Sequence, residues 1–379
     1  MNVLITGSRA PVALDLARRF QRAGHTVFQA DSLPRGMAMR SNAVDRSFVI
    51  PRPVEDLSQF AASLGDIVRG HSIDVIIPTC EEVFFLAGCR DQLPCRILCD
   101  SLDVLKRIHN KWTFSELVHE SPVTAPVSHL LNSLQDATAI DETTEDWVFK
   151  PVYSRFASRT LVGPSASRLM SAASNNEQWI MQKRIRGTEF STWSYAESGQ
   201  LKAHATYRSL YRVGTGSGIC FVPEQHEEIL EFVQSFVLTQ SFTGQIGFDF
   251  IQDDTSKLFV LEANPRATSG VHLFSSEDPV VESLIGGEGP VCQPTPNRPT
   301  MVEFAMPFWG LIDAARSGRL LHFLPDLLRS RWAVTRFLDP LPTLGLPLSL
   351  WQIAMIARSE SCSLQTASTF DIEWNGEPL

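Results

Sequence analysis

The sequence predicts an α/β protein that begins with a parallel, doubly wound sheet. Two observations lead there. Strand-like and helix-like segments alternate over roughly the first 100 residues, the pattern of parallel strands joined by helical crossovers. Farther on, short apolar strands are punctuated by Asn175-Asn176 and by Gly214-Thr215-Gly216-Ser217-Gly218, which mark loops. A chain of 379 residues holds two to three domains at about 150 residues each, and 44% hydrophobic with 20% charged residues is ordinary for a folded protein.

Taken in order, Val3-Leu4-Ile5 reads as a short buried strand and Gly7-Ser8-Arg9 as a turn, with Pro11 at a first helical position. Val12, Leu16 and Phe20 recur at helical spacing, with Ala13 and Ala17 beside them, and Gly24 ends the helix. Thr26–Asp31, Asp74–Pro78 and Arg96–Asp100 are the next expected strands. The turn Gly7–Val12 lacks G-x-G-x-x-G, so no nicotinamide cofactor is expected. It is either a tight strand-to-helix turn or an anion site at a helix N-terminus. Pro78-Thr79-Cys80-Glu81-Glu82 sits at the carboxyl end of a strand, where open α/β sheets bind ligands; its carboxylates either bind an amine or cap a helix. One helix is expected from Asp103 to about Glu120, then a boundary at Pro122 and Pro126. Strands follow at Trp147–Lys150, Trp179–Gln182 and Phe190–Tyr195. After about Gly286 the chain is proline-rich and then helical.

The formal charge of −9 argues against a nucleic-acid partner, whose affinity comes from Lys and Arg on phosphates, but leaves room for a small anionic ligand met by local cations. Seven cysteines is an odd count, and Cys89, Cys95 and Cys99 lack the spacing of a zinc set. Reduced thiols in a cytoplasmic protein are expected. Met1–Ile5 runs straight into a strand, without the basic and apolar regions of a signal peptide. Leu344–Ala357 is broken by Gly345, Pro347 and Gln352 and falls short of the ~20 residues a membrane span needs, so no membrane partner is expected.

The chemistry concentrates in Gly247-Phe248-Asp249-Phe250-Ile251 and Phe259-Val260-Leu261-Glu262-Ala263-Asn264-Pro265-Arg266, two strands around the turn signal Asp253–Lys257. Folding that hairpin about the bond between Thr255 and Ser256 sets Asp249 opposite Glu262, with Asn264 two residues on and on the same face. Opposed carboxylates repel in an ordinary sheet, and a divalent cation between them reverses the sign. Two acids and an amide oxygen are hard ligands that suit Mg²⁺, with phosphates completing its octahedron. The competing reading is a solvated polar face on an edge hairpin, against which stand the apolar residues around the acids.

The Glu262-x-Asn264-x-Arg266 run resembles the metal-binding strand of the ATP-grasp superfamily, whose members include D-alanine–D-alanine ligase, biotin carboxylase and the carbamoyl-phosphate synthase large subunit. The likeness extends in order over about residues 105 to 270. It implies a chain that is α/β overall and α+β in its nucleotide lobes: a Rossmann-like pre-ATP-grasp domain over 1–100, a connecting helix over 101–120, a small lobe over 121–188, a large lobe with the metal site over 189–300, and a C-terminal helical part over 301–379. By resemblance, Lys111 reaches the phosphates of ATP, Lys150 contacts phosphate and adenine, and Gln182–Glu189 is the hinge between lobes. Backbone groups of Lys183 and Ile185 would bond adenine, the Glu189 carboxylate would hold the ribose, and Arg266 would stabilise the phosphoryl group in transfer, for which a guanidinium fork is suited. Asp249, Glu262 and Asn264 would hold Mg²⁺. Without that context Lys183–Arg186 is an ordinary basic turn.

Three departures stand out. The loop after Lys150, Val152–Arg159, is poor in glycine, and Ser154 and Ser158 hydroxyls with Arg155 or Arg159 are its candidate substitutes around the phosphates. The hinge has Lys183 where an acid is frequent. The Tyr207–Gly218 loop matches no substrate motif; its Arg208 and Arg212 suggest carboxylate or phosphate recognition, with Arg208 joining Arg266 as a catalytic candidate, or else a mobile basic surface. Arg316, Arg319, Arg329, Arg331 and Arg336 read as a solvated helix face rather than a site for an anionic partner, and His204 and His272 as packed or exposed. The expected function is an ATP-dependent carboxylate–amine ligase of specialised metabolism, working through an acyl phosphate on small-molecule acids and amines. The oligomeric state is left open; dimers are frequent in the superfamily, so a homodimer is one option, with the apolar C-terminal region as its candidate interface. The alternatives are carboxyphosphate or carbamoyl-phosphate chemistry on bicarbonate, and a nucleotide-binding module without turnover.

Overall fold

The computed structural model describes residues 1–139, 144–155, 159–172, 177–214, 216–295 and 298–379; Ser158, Asn175, Asn176 and Thr215, named above, lie outside the described residues. The first strands are β1 (Asn2–Thr6), β2 (Thr26–Asp31), β3 (Arg46–Val49), β4 (Val75–Ile77) and β5 (Arg96–Ile97). They form one parallel sheet in the order β3-β2-β1-β4-β5. Period-two alternation sends Leu4, Phe28 and Ile76 into a core with Phe60 and Leu64 of α2 (Leu57–His71). Val3, Ile5, Val27 and Val75 face the other way, onto Val12, Leu16 and Phe20 of α1 (Pro11–Arg22). The predicted doubly wound sheet is therefore present, and β3 is a strand that sequence reading passed over.

The β1–α1 turn is the tight-turn alternative. Gly7 has φ +75°, and a Cβ there would lie 2.5 Å from Thr79 Oγ1. The space an anion would need is filled from within. Arg9 Nε donates to Asp31 Oδ1 at 3.1 Å, and its Nη1 and Nη2 reach Asp371 at 2.6 and 2.8 Å. At the end of β4, Glu82 opens α3 (Glu82–Gly88) and its Oε1 ties down the turn before the helix, accepting from Thr79 N at 3.0 Å and Cys80 N at 3.2 Å; no side chain caps α3 itself.

The single helix expected over 103–120 is two, α4 (Leu102–His109) and α5 (Lys111–Leu117). Asn110 stops the first and caps the second, its Oδ1 accepting from Trp112 N and Thr113 N. That break places Lys111 at the very start of a helix. A small antiparallel sheet follows, ordered β6-β9-β7-β8, from β6 (Ser128–Leu131), β7 (Trp147–Pro151), β8 (Leu161–Val162) and β9 (Trp179–Lys183), with α6 (Ala166–Ala172) beside it. Trp147, Phe149 and Met181 face its private core, so the alternate residues Lys150 and Gln182 face outward to the cleft.

The large sheet has the order β14-β13-β10-β11-β12-β15-β16. Its strands are β10 (Gly187–Glu197), β11 (Gln200–Val213), β12 (Ser217–Glu224), β13 (Gly244–Asp253), β14 (Leu258–Asn264), β15 (Thr300–Met301) and β16 (Arg331–Trp332). Phe248 and Phe250 pack beneath it on Phe232 and Phe236 of α7 (Glu227–Thr239). The remaining helices are α8 (Val280–Ile285), α9 (Leu311–Arg316), α10 (Leu320–Arg329), α11 (Leu341–Ser359) and α12 (Leu364–Ala367). The last residues return to the first sheet, where Trp374 stacks on Phe84 at 4.9 Å between ring centroids.

Replacing Gly7 by Ala places a Cβ into the Thr79 hydroxyl at a left-handed backbone position, a cost of about 1–3 kcal/mol. Urea unfolding of G7A against the parent chain measures it, and an unchanged midpoint would contradict this account of the turn.

Candidate active site

A cleft of about 380 Å³ opens between the small sheet and the large one, and most of the residues singled out in the sequence line it. Asp249 and Glu262 are direct cross-strand partners, as the hairpin count predicts, and Asn264 lies opposite Gly247. The count fails nearer the turn. Phe250 pairs with Val260, which leaves Leu261 as an extra residue beside the acids. Asp249 Oδ1 accepts from Ser191 Oγ at 2.6 Å, and Oδ2 from Asn264 Nδ2 at 3.3 Å.

Two lysines from separate elements converge on Glu262. Lys111 Nζ lies 3.6 Å and Lys150 Nζ 3.9 Å from Oε2. Lys111 also donates to the Ser154 carbonyl at 2.9 Å, and Lys150 to Gln182 Oε1 at 3.2 Å. Burial alone would raise Glu262, but the two ammonium groups outweigh it and hold the carboxyl below its ordinary value. Asp249 has no such cation at hand. Burial, and then the charge of Glu262, push it up to about 6.

This donor set fits a divalent cation. Two opposed carboxylates carry a repulsion that a cation removes, and their hard oxygens suit Mg²⁺. Among the described residues no group of three or more His, Cys, Asp or Glu side chains converges, so phosphate and water oxygens would have to complete the shell.

Arg266 reaches the cleft from the residues after β14, and Glu81 holds it there. Glu81 Oε1 accepts from Arg266 Nε at 2.8 Å, and its Oε2 from Arg155 Nη2 at 3.1 Å. Burial would raise Glu81, but Arg155 and Arg266 more than offset it and keep the carboxylate ionised. Of the Glu81-Glu82 pair, Glu82 bonds the turn before α3 and the Thr6 hydroxyl rather than capping the helix, and Glu81 binds guanidinium rather than an amine. Sequence reading had no means to see this, because the partners stand 74 and 185 residues away.

At the hinge, Lys183 N donates to Val127 O at 2.7 Å, while the Ile185 amide has no hydrogen bond among the described residues. Lys183 itself leans out, its ammonium 4.9 Å from the centroid of Trp147 and 3.6 Å from Asp146. Glu189 lines the cleft and is paired with Arg212 at 2.5 Å.

Several expectations are corrected. Tyr207–Val213 is not a loop but the end of β11, and the turn lies beyond it. Arg208 does not line the cleft; its Nε donates to Glu224 Oε1 at 2.7 Å on the other face of the sheet. Arg212 takes that place, because a β-bulge between Ser209 and Tyr211 shifts the alternation and brings it to the face of Tyr207 and Ser209. In the glycine-poor segment Ser154 lines the cleft, but neither arginine does. Arg155 is buried against Glu81, the Trp374 carbonyl (2.6 Å) and Glu373, and Arg159 pairs with Glu177 and stacks on Trp179. His204, between Ser194 and Thr206, and His272, on Asp15, are packed side chains. His109 escaped notice: it is buried against Phe84 and Tyr153 with both ring nitrogens unpartnered, and burial lowers it to about 3.

With the geometry in place, comparison with known proteins agrees. Residues 108–270 match the family described as the ATP-grasp domain. No curated protein matches the chain by sequence. Among solved structures, N5-carboxyaminoimidazole synthetase from Staphylococcus aureus, complexed with ADP, is similar at 14% identity and TM-score 0.63, over 83% of this chain and 86% of that one. The biotin carboxylase domain of 2-oxoglutarate carboxylase from Hydrogenobacter thermophilus, with MgADP and bicarbonate, matches at 15% and 0.61, over 79% and 73%. L-amino acid ligase from Bacillus licheniformis matches at 15% and 0.57, over 75% and 72%.

Replacing Asp249 by Asn removes the charge that opposes Glu262. Because the Asp249 carboxyl is raised to about 6, the native state loses stability as pH rises through that value. D249N is therefore expected to melt higher than the parent at pH 7.5 without Mg²⁺, with the difference shrinking as pH falls below 6 and gone below about 4, the ordinary Asp value; a gap that is the same at pH 5 as at pH 7.5 would contradict this. Residues 108–270 of this chain match the ATP-grasp domain, and the chain has the ATP-grasp fold.

Proposed function

We propose that the protein is an ATP-dependent carboxylate–amine ligase. A substrate carboxylate oxygen attacks the γ-phosphorus of ATP, ADP leaves, and an acyl phosphate forms; an amine nitrogen then attacks the acyl carbon, phosphate leaves, and an amide or peptide bond results. The observation that carries this reading is the opposed pair Asp249 and Glu262 with Lys111 and Lys150 converging on Glu262, and a guanidinium aimed by Glu81 lining the same cleft.

Each side chain has a task under this reading. Asp249, Glu262 and Asn264 hold Mg²⁺, which neutralises charge on the phosphates. Lys111 and Lys150 bind phosphate oxygens; both are preplaced by neutral oxygens as well as by Glu262, so little reorganisation is needed. Arg266 meets the charge that develops on the transferring group, and its bond to Glu81 fixes the fork's direction. The unpaired Ile185 amide bonds the base and Glu189 the ribose, on release from Arg212. No side-chain nucleophile is required, since positioning and charge stabilisation account for this class of transfer. The ADP and MgADP complexes of two similar structures support the nucleotide part. Specialised metabolism, a cytoplasmic location and small-molecule acid and amine substrates belong to the same proposal.

Two measurements test it. Mg²⁺-dependent ADP release is screened over pools of carboxylates with and without amines. Release requiring one acid and one amine supports the ligase; bicarbonate alone sufficing would make it a carboxyphosphate enzyme, and AMP would mean adenylation. In the active system, Glu262→Gln is expected to abolish turnover. Arg266→Lys is expected to lower kcat by about 10²–10³ with ATP binding retained, as for loss of one preorganised donor. Retained turnover in E262Q would refute the metal assignment.

A further inference from the structure

The C-terminal third of the chain carries a surface that the proposed chemistry does not use. Eighteen of the twenty-seven large hydrophobic side chains exposed among the described residues lie between Phe308 and Leu364. They are ordered. On α10, Leu321, Leu324 and Leu328 share one face and point to solvent, with Leu321 91% exposed. Asp326 on the same helix points inward, where its Oδ2 accepts from Tyr211 OH at 2.7 Å. The helix is thus apolar on two sides: Phe323 and Leu327 pack on the core beneath it, while the three leucines face solvent. On α11, Leu341, Leu344, Leu348, Trp351 and Met355 repeat at spacings of three and four and are likewise exposed. Phe337, 97% exposed, and Leu338 project from the segment between the two helices.

The exposed apolar area reaches the scale of a functional patch. Trp309, Trp332 and Trp351, exposed by 42, 52 and 57%, alone present roughly 300 Å² on the ~200 Å² scale of an aromatic side chain, already the size of the largest apolar patch such surfaces usually show.

Charge selects the occupant. Residues 308–358 contain six arginines and three aspartates, while the rest of the chain holds 27 cations against 39 anions. All three aspartates are withdrawn from solvent. Asp326 and Asp339 are buried, and half-buried Asp313 accepts from the Arg212 amide at 3.1 Å. Arg316, Arg336 and Arg358 remain exposed among the leucines and tryptophans, while Arg329, also exposed, pairs with Asp326 at 2.7 Å. Pairing this surface with a second copy would set cations against cations. Apolar side chains, amphipathic indoles and an unbalanced arginine belt together match the interface of an anionic bilayer. No helix among the described residues is long and apolar enough to cross a membrane, so the contact is peripheral.

We propose that the α10–α11 surface docks this protein onto an anionic lipid bilayer, α11 lying along the interface with its Leu and Trp side chains inserted and the arginines at the headgroups. This holds whatever reaction the cleft performs. The test is flotation of the full chain with vesicles of phosphatidylcholine alone and with 30% phosphatidylglycerol. Flotation with the anionic vesicles, weakened by salt and reduced at least tenfold in Leu321→Glu/Phe337→Glu, is expected. Arg316→Glu/Arg358→Glu should lose the preference for anionic lipid without altering any apolar residue. In both variants an unchanged thermal shift with MgADP would show the cleft intact. Equal flotation with both vesicle types would overturn the assignment. So would absence of flotation, or a dimer in sedimentation equilibrium that L321E/F337E dissociates and that leaves lipid unbound.

Discussion

Two carboxylates facing each other across a hairpin repel, and the cleft is built around managing that repulsion. Asp249 and Glu262 cannot move apart, since the ladder between β13 and β14 fixes their register and Phe248 and Phe250 anchor the strand from beneath. Compensation therefore comes from elsewhere in the chain. Lys111 arrives at the start of α5, Lys150 from β7, and both turn toward Glu262 rather than Asp249. The result is an asymmetric pair, one acid held ionised by two cations and the other raised in pKa. The large sheet, α5 and the small sheet are tied together by these charges.

Glu81 organises a second layer. One buried carboxylate at the end of the first sheet holds two guanidiniums, and Arg155 in turn binds the C-terminal segment through Glu373 and the Trp374 carbonyl. Buried ion pairs gain little net stability because desolvation offsets attraction, but removing one partner is costly. Such a network rewards geometry. It couples the direction of Arg266 to the seating of the first domain and the chain end, and it explains why a segment short of glycine carries an arginine. Arg155 is a structural tie to the first domain, not a phosphate ligand.

The alternation of strands and helices, the facing acids and the polar face of β14 were all legible in the sequence, because each depends on residues a few positions apart and on a period of two or four. Legibility stopped where backbone regularity did. Leu261 and the bulge after Ser209 each insert a residue, and a single insertion reverses which side chains face the cleft, so that Arg212 replaced Arg208. Asn110 hid inside an otherwise helical pattern because its cap is a matter of side-chain geometry.

By itself, then, the sequence determined the class of sheet and the pairing of Asp249 with Glu262. Tertiary structure decided which charged groups remain available. Arg9, Arg155 and Arg208 are each consumed by carboxylates, and Arg266 is aimed by one, through partners between 16 and 362 residues away. A guanidinium looks the same in sequence whether it awaits a ligand or is already paired. Only folding brings the competing carboxylate to it, and at contact distance in a buried site that competitor outweighs any local pattern.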